Sequence, residues 1–246
     1  MDTLKFPAYD FDDNLFCLET KILLLNKKTN KIEEFSTEDF VHARKDENYE
    51  ITDFSFQNFR DTPNNEIFSQ DFWYAVEHKQ FGPSFEHFKK TIIEANIFTI
   101  ITSRGHNPKT IKNVLLAFFF ENFSYLEKKE FEKNFRKKHK LFNETDFPII
   151  DYLNNCVIST ITNPRMEFLF KDFNLEERKY ICMETFVDSC LTKVSNVFPS
   201  VKTIKFGFSD DDLSYFQTIE NFFAENEIFK KQRDFNVETK AFYTKF

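Results

Sequence analysis

Residues 4–14 read Leu4-Lys5-Phe6-Pro7-Ala8-Tyr9-Asp10-Phe11-Asp12-Asp13-Asn14, a short and mostly apolar run that ends in an acidic cluster. Such a run is typical of a buried strand that carries carboxylates at its carboxyl end. Two later apolar runs end in the same way, 97–101 before Thr102 and Ser103, and 203–208 before Ser209-Asp210-Asp211-Asp212. In an open α/β sheet these strand ends lie at one edge, so the sequence predicts that the three polar clusters meet there.

Helical patterns alternate with these strands and predict an α/β fold. Helices are expected from Ser84, from Asn107-Pro108, over 121–145, after the capping box of Asn174 and Glu177, and from Leu213. Further strands are expected at Cys156–Ile161, at Met166–Phe170 and, as an edge strand, at Phe235–Thr244. Gly105 and Gly207, two of only three glycines, flank the predicted site, where a small residue lets the backbone approach a ligand.

Composition narrows the class of protein. The chain has 246 residues, of which 41% are hydrophobic and 30% charged, as in globular domains. Its net charge of −7 argues against general nucleic-acid binding and leaves a small phosphorylated substrate open. No apolar signal core or membrane-length run is present, which predicts a soluble, cytoplasmic protein with no membrane contact. Four cysteines without metal-ligand spacing predict reduced thiols.

The acidic clusters favour metal-assisted phosphoryl chemistry. Carboxylates crowded at one sheet edge repel one another unless a cation shares them, and oxygen ligands favour Mg²⁺. A carboxylate beside that ion can attack phosphorus, and a second one, two residues later, can move the proton. A hydroxyl group and a lysine from other elements would hold the phosphoryl oxygens.

These residues resemble the motifs of the haloacid dehalogenase-like (HAD) hydrolases. Asp10-Phe11-Asp12-Asp13-Asn14 is similar to the first motif, Asp-x-Asp-x-Thr or Val, with Asn14 in the last place. Thr102 fits the second motif, with Ser103 as the alternative. Asp210-Asp211 fits the fourth, with Asp212 as a competitor. Lys179, close behind Asn174, fits the third better than Lys171 or Lys193.

The resemblance implies a three-layer Rossmann-like core with a parallel sheet and a phosphatase activity that uses Mg²⁺. Asp10 would be the nucleophile and Asp12 the general acid and then base, while Thr102 and Lys179 stabilise the phosphoryl oxygens. The metal ligands would be Asp10, the backbone carbonyl of Asp12, and Asp210, with Asp211 assisting. Ser103, Arg104 and Gly105 are expected to bind substrate; His106 and Lys109 follow them, and ordinary loop solvation explains these charged side chains equally well.

The resemblance also implies an inserted cap. The core is expected at 1–17 and 83–246, with a flap hairpin and a small cap at 18–82 that would select substrates. Residues 121–155 are a further candidate helical insertion. Neither the substrate nor the oligomeric state is predicted.

Several alternatives stay open at this point. A calcium loop at Asp10 would need glycine and glutamate where Leu15 and Lys21 stand. Taken alone, Asp210–Asp212 fits a solvated turn or a helix cap. The basic run Lys128–Lys140, interleaved with Phe131 and Phe135, suggests a polynucleotide-end phosphatase, although a charged helix face explains it better. A phospho-acceptor or binding module without turnover would use the same aspartates.

Overall fold

The structure is a computed structural model that describes residues 3–61, 66–138, 146–198, 200–230 and 234–244. Strands within these ranges are β1 (Thr3–Tyr9), β2 (Ile22–Asn26), β3 (Lys31–Phe35), β4 (Tyr49–Glu50), β5 (Thr99–Thr102), β6 (Val157–Thr160), β7 (Thr203–Asp210) and β8 (Asn236–Tyr243). Helices are α1 (Thr37–Ala43), α2 (Glu66–Glu77), α3 (Phe85–Ile93), α4 (Pro108–Asn122), α5 (Tyr125–Lys138), α6 (Pro148–Asn155), α7 (Pro164–Leu169), α8 (Leu175–Val197) and α9 (Leu213–Glu225).

A parallel sheet of five strands forms the centre of the described chain, in the order β6-β5-β1-β7-β8. Each neighbouring pair is parallel. Because the chain moves from β1 to one side and later returns to the other, the strand order reverses beside β1. This is the topology of a Rossmann-like α/β fold, and it places the loops after β1, β5 and β7 at one edge.

Helices cover both faces of this sheet, so the fold has three layers. Successive side chains of a strand point to opposite faces, and β1 shows what lies on each. On one face Phe6 packs against Phe186 of α8, with ring centroids 6.4 Å apart. On the other, Tyr9 packs against Phe88 of α3 at 5.4 Å. The predicted α/β fold with a Rossmann-like parallel sheet is therefore confirmed.

A second, antiparallel sheet lies within residues 18–82, with the strand order β3-β2-β4. It has a small hydrophobic cluster of its own, built from Ile22, Leu24 and Ala43. Helix α2 belongs instead to the main core through Phe68 and Phe72. Residues 18–82 thus contain one part with a separate cluster and one part, α2, that packs in the main core against the loop after β1 and against α4.

Backbone hydrogen bonds hold the two ends of this 18–82 segment together. The Cys17 N–H donates to the Gln80 carbonyl at 2.9 Å, and the Gly82 N–H donates to the Leu15 carbonyl at 2.9 Å. We call this pair of contacts the neck. The 18–82 segment therefore begins and ends at the same point, directly beside the loop that carries the acidic residues.

Most predicted elements are confirmed, but the strand predicted at Met166–Phe170 is wrong. These residues lie in and just after α7, because the Asn163 side chain accepts a hydrogen bond from the Arg165 N–H and Pro164 takes the first helical position. The helix predicted over 121–145 is divided, since α4 ends at Asn122 and α5 begins at Tyr125. Residues 139–145 lie outside the described ranges.

The basic run at 128–140 forms much of α5, and residues 139 and 140 fall outside the described chain. Phe131 and Phe135 are buried in the main core, where their rings stack on each other. Neither ring is available for stacking on a nucleic-acid base. The charged side chains of α5 therefore form one face of a packed helix.

Two general features of the described chain bear on its environment. None of the described helices has the length and apolar character that crossing a membrane requires. All four cysteines carry free thiols, and three of them, Cys156, Cys182 and Cys190, are buried. The pKa of the Cys156 thiol is raised to about 12, chiefly by burial, so this residue packs as a small apolar side chain.

Candidate active site

Three carboxylates from two strand ends meet at the edge of the central sheet. Asp10 follows β1 and Asp210 ends β7, and the Asp10 N–H still donates to the Ser209 carbonyl at 2.9 Å. Each of Asp10, Asp210 and Asp211 offers an oxygen atom, and these oxygens all lie within 4.8 Å of one another. The strand ends thus deliver the acidic groups as a compact set of oxygen ligands suited to a hard cation.

Lys179 completes this cluster from α8. Its Nζ lies 2.8 Å from Asp10 Oδ1 and 2.7 Å from Asp210 Oδ2, and the side chain is buried. The two competing lysines lie elsewhere: Lys193 donates to Asn155 Oδ1 at 2.9 Å, and Lys171 is exposed. Of the three candidates, Lys179 is the one that the fold brings to the acidic residues.

The charges of this cluster do not balance, since one lysine faces three carboxylates. Burial raises the pKa of Asp10 well above its ordinary value; Lys179 opposes this shift, and the neighbouring aspartates add to it. Burial, together with Asp210 and Asp13, raises the pKa of Asp211 to about 7. Burial works against the charge of Lys179, but Asp10 and Asp210 outweigh it and raise its pKa. A divalent cation held by the carboxylates would relieve their repulsion.

Asp12 has a different environment from Asp10. Arg104, which follows β5, pairs with its carboxylate: Nε lies 2.9 Å from each oxygen, and Nη2 lies 2.7 Å from Oδ1. Thr102 Oγ1 lies 3.4 Å from Asp12 Oδ2, and it accepts a hydrogen bond from the Arg104 N–H at 3.2 Å. The predicted substrate ligand Arg104 therefore contacts the predicted acid–base residue.

Asn14, where the HAD motif has Thr or Val, is buried and joins three strands. Its Nδ2 lies within 3.2 Å of the Asp10 carbonyl and within 3.0 Å of both the Ser209 carbonyl and Oγ. Its Oδ1 accepts a hydrogen bond from Thr244 Oγ1 at 2.8 Å, just beyond β8. An Asn side chain donates from its amide nitrogen and accepts at its amide oxygen. Asn14 thus fixes the acidic loop against β7 and the chain after β8.

Gly82 braces the same loop, a role that was not predicted. A Cβ on Gly82 would lie 2.3 Å from the Asn14 backbone carbon, so a side chain has no room there. Gly207 was predicted to let the backbone approach a ligand. A Cβ added there would lie 3.9 Å from the Lys240 carbonyl oxygen, so the surrounding protein leaves room for a side chain. The Pro that follows Gly82 was the available signal, because Gly-Pro marks a tight connection.

Tyr215 is a site residue that the sequence did not reveal. Its ring lies over Lys179 with Nζ 3.7 Å from the centroid, and its hydroxyl lies 3.3 Å from Ser103 Oγ. Asp212 acts as the N-cap of α9 and accepts from the Ser214 N–H at 2.7 Å, which orients this first turn. Asp212 is therefore occupied as a helix cap. An N-cap three residues before Tyr215 places this tyrosine in the first turn of α9, and that spacing is the sequence signal that could have identified it.

The residues after Arg104 are placed as follows. Gly105 is packed tightly, since a Cβ there would lie 2.8 Å from the Thr162 carbonyl oxygen. His106 is buried against the Phe68 ring, and its pKa is lowered to about 4, first by burial and then by Arg104. Lys109 is exposed. His106 is thus a neutral packing group at ordinary pH.

Fold and site together define a Rossmann-like α/β protein with a buried acidic cluster at the carboxyl edge of its sheet. Comparison of the chain with protein-family models, with curated proteins and with solved structures gives no match. The chemistry that we assign to the site is therefore inferred from its own residues and their geometry.

Proposed function

We propose that this chain is a HAD-like phosphatase that hydrolyses a phosphomonoester with the help of Mg²⁺ through an aspartyl-phosphate. One observation carries the proposal: Lys179 lies between Asp10 and Asp210 at 2.8 and 2.7 Å. Lys179 comes from α8, Asp10 from the loop after β1 and Asp210 from β7, and their convergence with Asp211 supports nucleophilic attack by Asp10 on phosphorus.

In the proposed reaction a carboxylate oxygen of Asp10 forms a bond to phosphorus as the ester oxygen leaves. Asp12 gives that oxygen its proton. In the second step Asp12 takes a proton from water, whose oxygen attacks the aspartyl-phosphate and releases inorganic phosphate. The first step leaves Asp10 phosphorylated and Asp12 without its proton; the second frees the Asp10 carboxylate and returns a proton to Asp12, so the cycle balances with water as the one further reactant.

The other groups would bind and orient the phosphoryl group. Asp10, the Asp12 carbonyl and Asp210 would hold Mg²⁺, with Asp211 beside them; the ion, when bound, supplies positive charge to the phosphoryl oxygens. Lys179 and the Thr102 hydroxyl would contact those oxygens from the protein side. The cluster's excess of negative charge supports this assignment of the cation.

We also propose that the small sheet within residues 18–82 is the cap of a HAD core. Its separate cluster of Ile22, Leu24 and Ala43 supports this. Thr37, at the start of α1, reaches the acidic loop, where its Oγ1 lies 3.4 Å from Asp13 Oδ2. A segment so placed would cover the site and contact the part of the substrate that is not transferred.

The decisive experiment is hydrolysis of p-nitrophenyl phosphate in the presence of Mg²⁺. We expect Asp10→Asn to reduce turnover by about 10³-fold or more, because the nucleophile is lost. Asp188→Asn, at an exposed position of α8, is the matched control and keeps the wild-type rate. Wild-type turnover by Asp10→Asn would contradict the mechanism. A stable acyl-phosphate on the wild-type chain, with no release of phosphate, would instead favour the phospho-acceptor module.

A polynucleotide-end phosphatase is tested in the same assay with phosphorylated oligonucleotides and sugar phosphates as competing substrates. Phe131 and Phe135 are buried, so the run that suggested this alternative offers no aromatic surface within its described residues. We therefore expect the small substrates to be hydrolysed faster.

A further inference from the structure

We propose that Arg104 is a positioning residue for Asp12, and that the 18–82 segment in turn holds Arg104. The inference rests on the proposed function, because it assigns Asp12 the proton transfers of the phosphatase reaction. It names residues of the 18–82 segment whose effect on catalysis would pass through two other side chains.

Arg104 and Asp12 form a bidentate pair. The Arg104 guanidinium meets both oxygens of Asp12, with three contacts between 2.7 and 2.9 Å. A planar guanidinium in this arrangement fixes the direction of a carboxylate as well as its distance. Because Asp12 follows β1 and Arg104 follows β5, the pair joins two loops of the site.

The Arg104 side chain is buried more deeply than that of Asp12. Its side chain is 0% exposed, whereas that of Asp12 is 23% exposed. A phosphate group that enters from solvent can reach Asp12, but it can reach the guanidinium only by displacing protein. Nε and Nη2 are already occupied, and Nη1 is buried without a partner among the described residues. Arg104 is therefore placed to act through Asp12 rather than on the substrate.

Residues of the 18–82 segment contact the guanidinium on its other sides. It lies between two aromatic rings of the 18–82 segment, with Cζ 4.9 Å from the centroid of Phe59 and 5.0 Å from that of Phe68. Such cation–π contacts are strongest where water is excluded. The backbone adds a further tie, because the Gly105 N–H donates to the Phe59 carbonyl at 2.8 Å.

A hydrogen-bonded chain continues from the same group. Arg104 Nη2 donates to Thr20 Oγ1 at 2.9 Å, and Thr20 Oγ1 donates to Asp71 Oδ2 at 2.6 Å. Thr20 is buried and stands just beyond the neck, while Asp71 lies on α2. The 18–82 segment thus supplies two rings and one hydroxyl that leave the guanidinium a single orientation, the one that holds Asp12.

The expected signature follows from the role of Asp12 as general acid. Proton donation matters most when the leaving oxygen is strongly basic. We expect Arg104→Gln to lower kcat/KM, which reports the step in which the ester oxygen leaves, by about 10- to 100-fold with phenyl phosphate and distinctly less with p-nitrophenyl phosphate. Arg104→Lys, which restores a charge without the bidentate geometry, should recover part of the loss.

A double-variant comparison with Asp12→Asn separates this role from substrate binding. If Arg104 acts through Asp12, adding Arg104→Gln to Asp12→Asn causes no further loss of kcat. If Arg104 contacts the substrate, the two losses multiply and the proposal is overturned. Circular dichroism and thermal unfolding of each variant check that the fold is kept.

Thr20→Val tests the hold on Arg104 without removing a charge. We expect Thr20→Val, like Arg104→Gln, to slow phenyl phosphate more than p-nitrophenyl phosphate, but by a smaller factor. Thr218→Val, whose hydroxyl bonds the Ser214 carbonyl within α9, is the matched control and should leave both esters unaffected. Equal losses of kcat/KM on the two esters with Thr20→Val or Arg104→Gln would contradict the positioning role, because kcat/KM excludes the later hydrolysis step that both esters share. Absence of phosphate release by the wild-type protein would instead refute the proposed function, so the two failures are distinguishable.

Discussion

Asp10 and Asp12 stand two residues apart on one loop, yet their partners come from two different parts of the molecule. Asp10 is buried among core elements, with Lys179 from α8 and Asp210 from β7. Asp12 is partly exposed and pairs with Arg104, which the 18–82 segment surrounds. Two aspartates of one loop thus have different environments because their partners come from different elements, α8 and β7 for Asp10 and the loop after β5 for Asp12. Under the proposed function, core residues would position the nucleophile, and residues of the 18–82 segment would position the proton donor through Arg104.

The most damaging change to the Asp10 side should be Lys179→Met. It leaves buried carboxylates without their cation, which we expect to cost about 3–5 kcal/mol of unfolding free energy and to abolish phosphatase activity. Urea denaturation and turnover of p-nitrophenyl phosphate measure the two effects. Lys193→Met, which removes the bond to Asn155, is the control and should leave activity in place. Full activity of Lys179→Met would show that the Asp10 side does not depend on this lysine.

The pH dependence of metal binding sharpens the comparison next. Asp211 has its pKa raised from an ordinary 3.8 to about 7. Between these values the folded, metal-free protein retains a proton that the unfolded chain has released, so its stability falls as pH rises through this window.

Mg²⁺ would relieve the repulsion between Asp211 and the neighbouring aspartates and would compete with the proton on Asp211. It should therefore raise Tm more at about pH 8 than at about pH 5. We expect a difference of several degrees, since 1 kcal/mol shifts Tm by about 2–4 °C for a chain of this size. Asp211→Asn should stabilise the metal-free protein at the higher pH and reduce the gain from Mg²⁺. Thermal unfolding with EDTA or Mg²⁺ measures both, with Asp188→Asn as control.

The smallest expected effect concerns the loop that carries both aspartates. Asn14→Thr removes an amide that reaches Asp10, Ser209 and Thr244, and a threonine cannot span these partners. We expect a loss of about 1–2 kcal/mol, the usual cost of unpaired buried polar groups. The shift in urea midpoint measures it. An unchanged midpoint would mean that water or a rearranged hydroxyl replaces the amide.

The strand ends that bring Asp10 and Asp210 together beside Lys179 could be predicted from the sequence. The runs before Asp10, Thr102 and Asp210 were identifiable because a buried parallel strand is almost wholly apolar and its polar neighbours then mark the edge. The fold topology then brings these polar residues together, because the carboxyl ends of parallel strands lie at the same edge of a sheet. Lys179 could be chosen over Lys171 because the Asn174–Glu177 capping box marks where α8 begins.

The other side of the site depended on contacts that no local pattern encodes. Arg104 and Asp12 are 92 residues apart, and their pairing requires the direction of two side chains as well as the strand order. Phe59 and Phe68 lie in a stretch without sustained periodicity, among thirty-six phenylalanines that look alike in the sequence. The error at Met166–Phe170 has a similar cause, because a short apolar run does not distinguish strand from helix.

The neck has a consequence for how such a protein could be altered. Because the contacts of Cys17 with Gln80 and of Leu15 with Gly82 close the 18–82 segment at its base, the part of it that lies outside the main core can change in length at little cost. Doubling a closed loop costs only about 0.6 kcal/mol of chain entropy. Lineages, or protein engineers, could therefore exchange the small sheet, β2 to β4, for longer or shorter modules; under the proposed function this would change which substrates the protein accepts. Helix α2 and the contacts of Thr20, Phe59 and Phe68 with Arg104 would have to be kept, so the exchangeable module would be smaller than the whole segment.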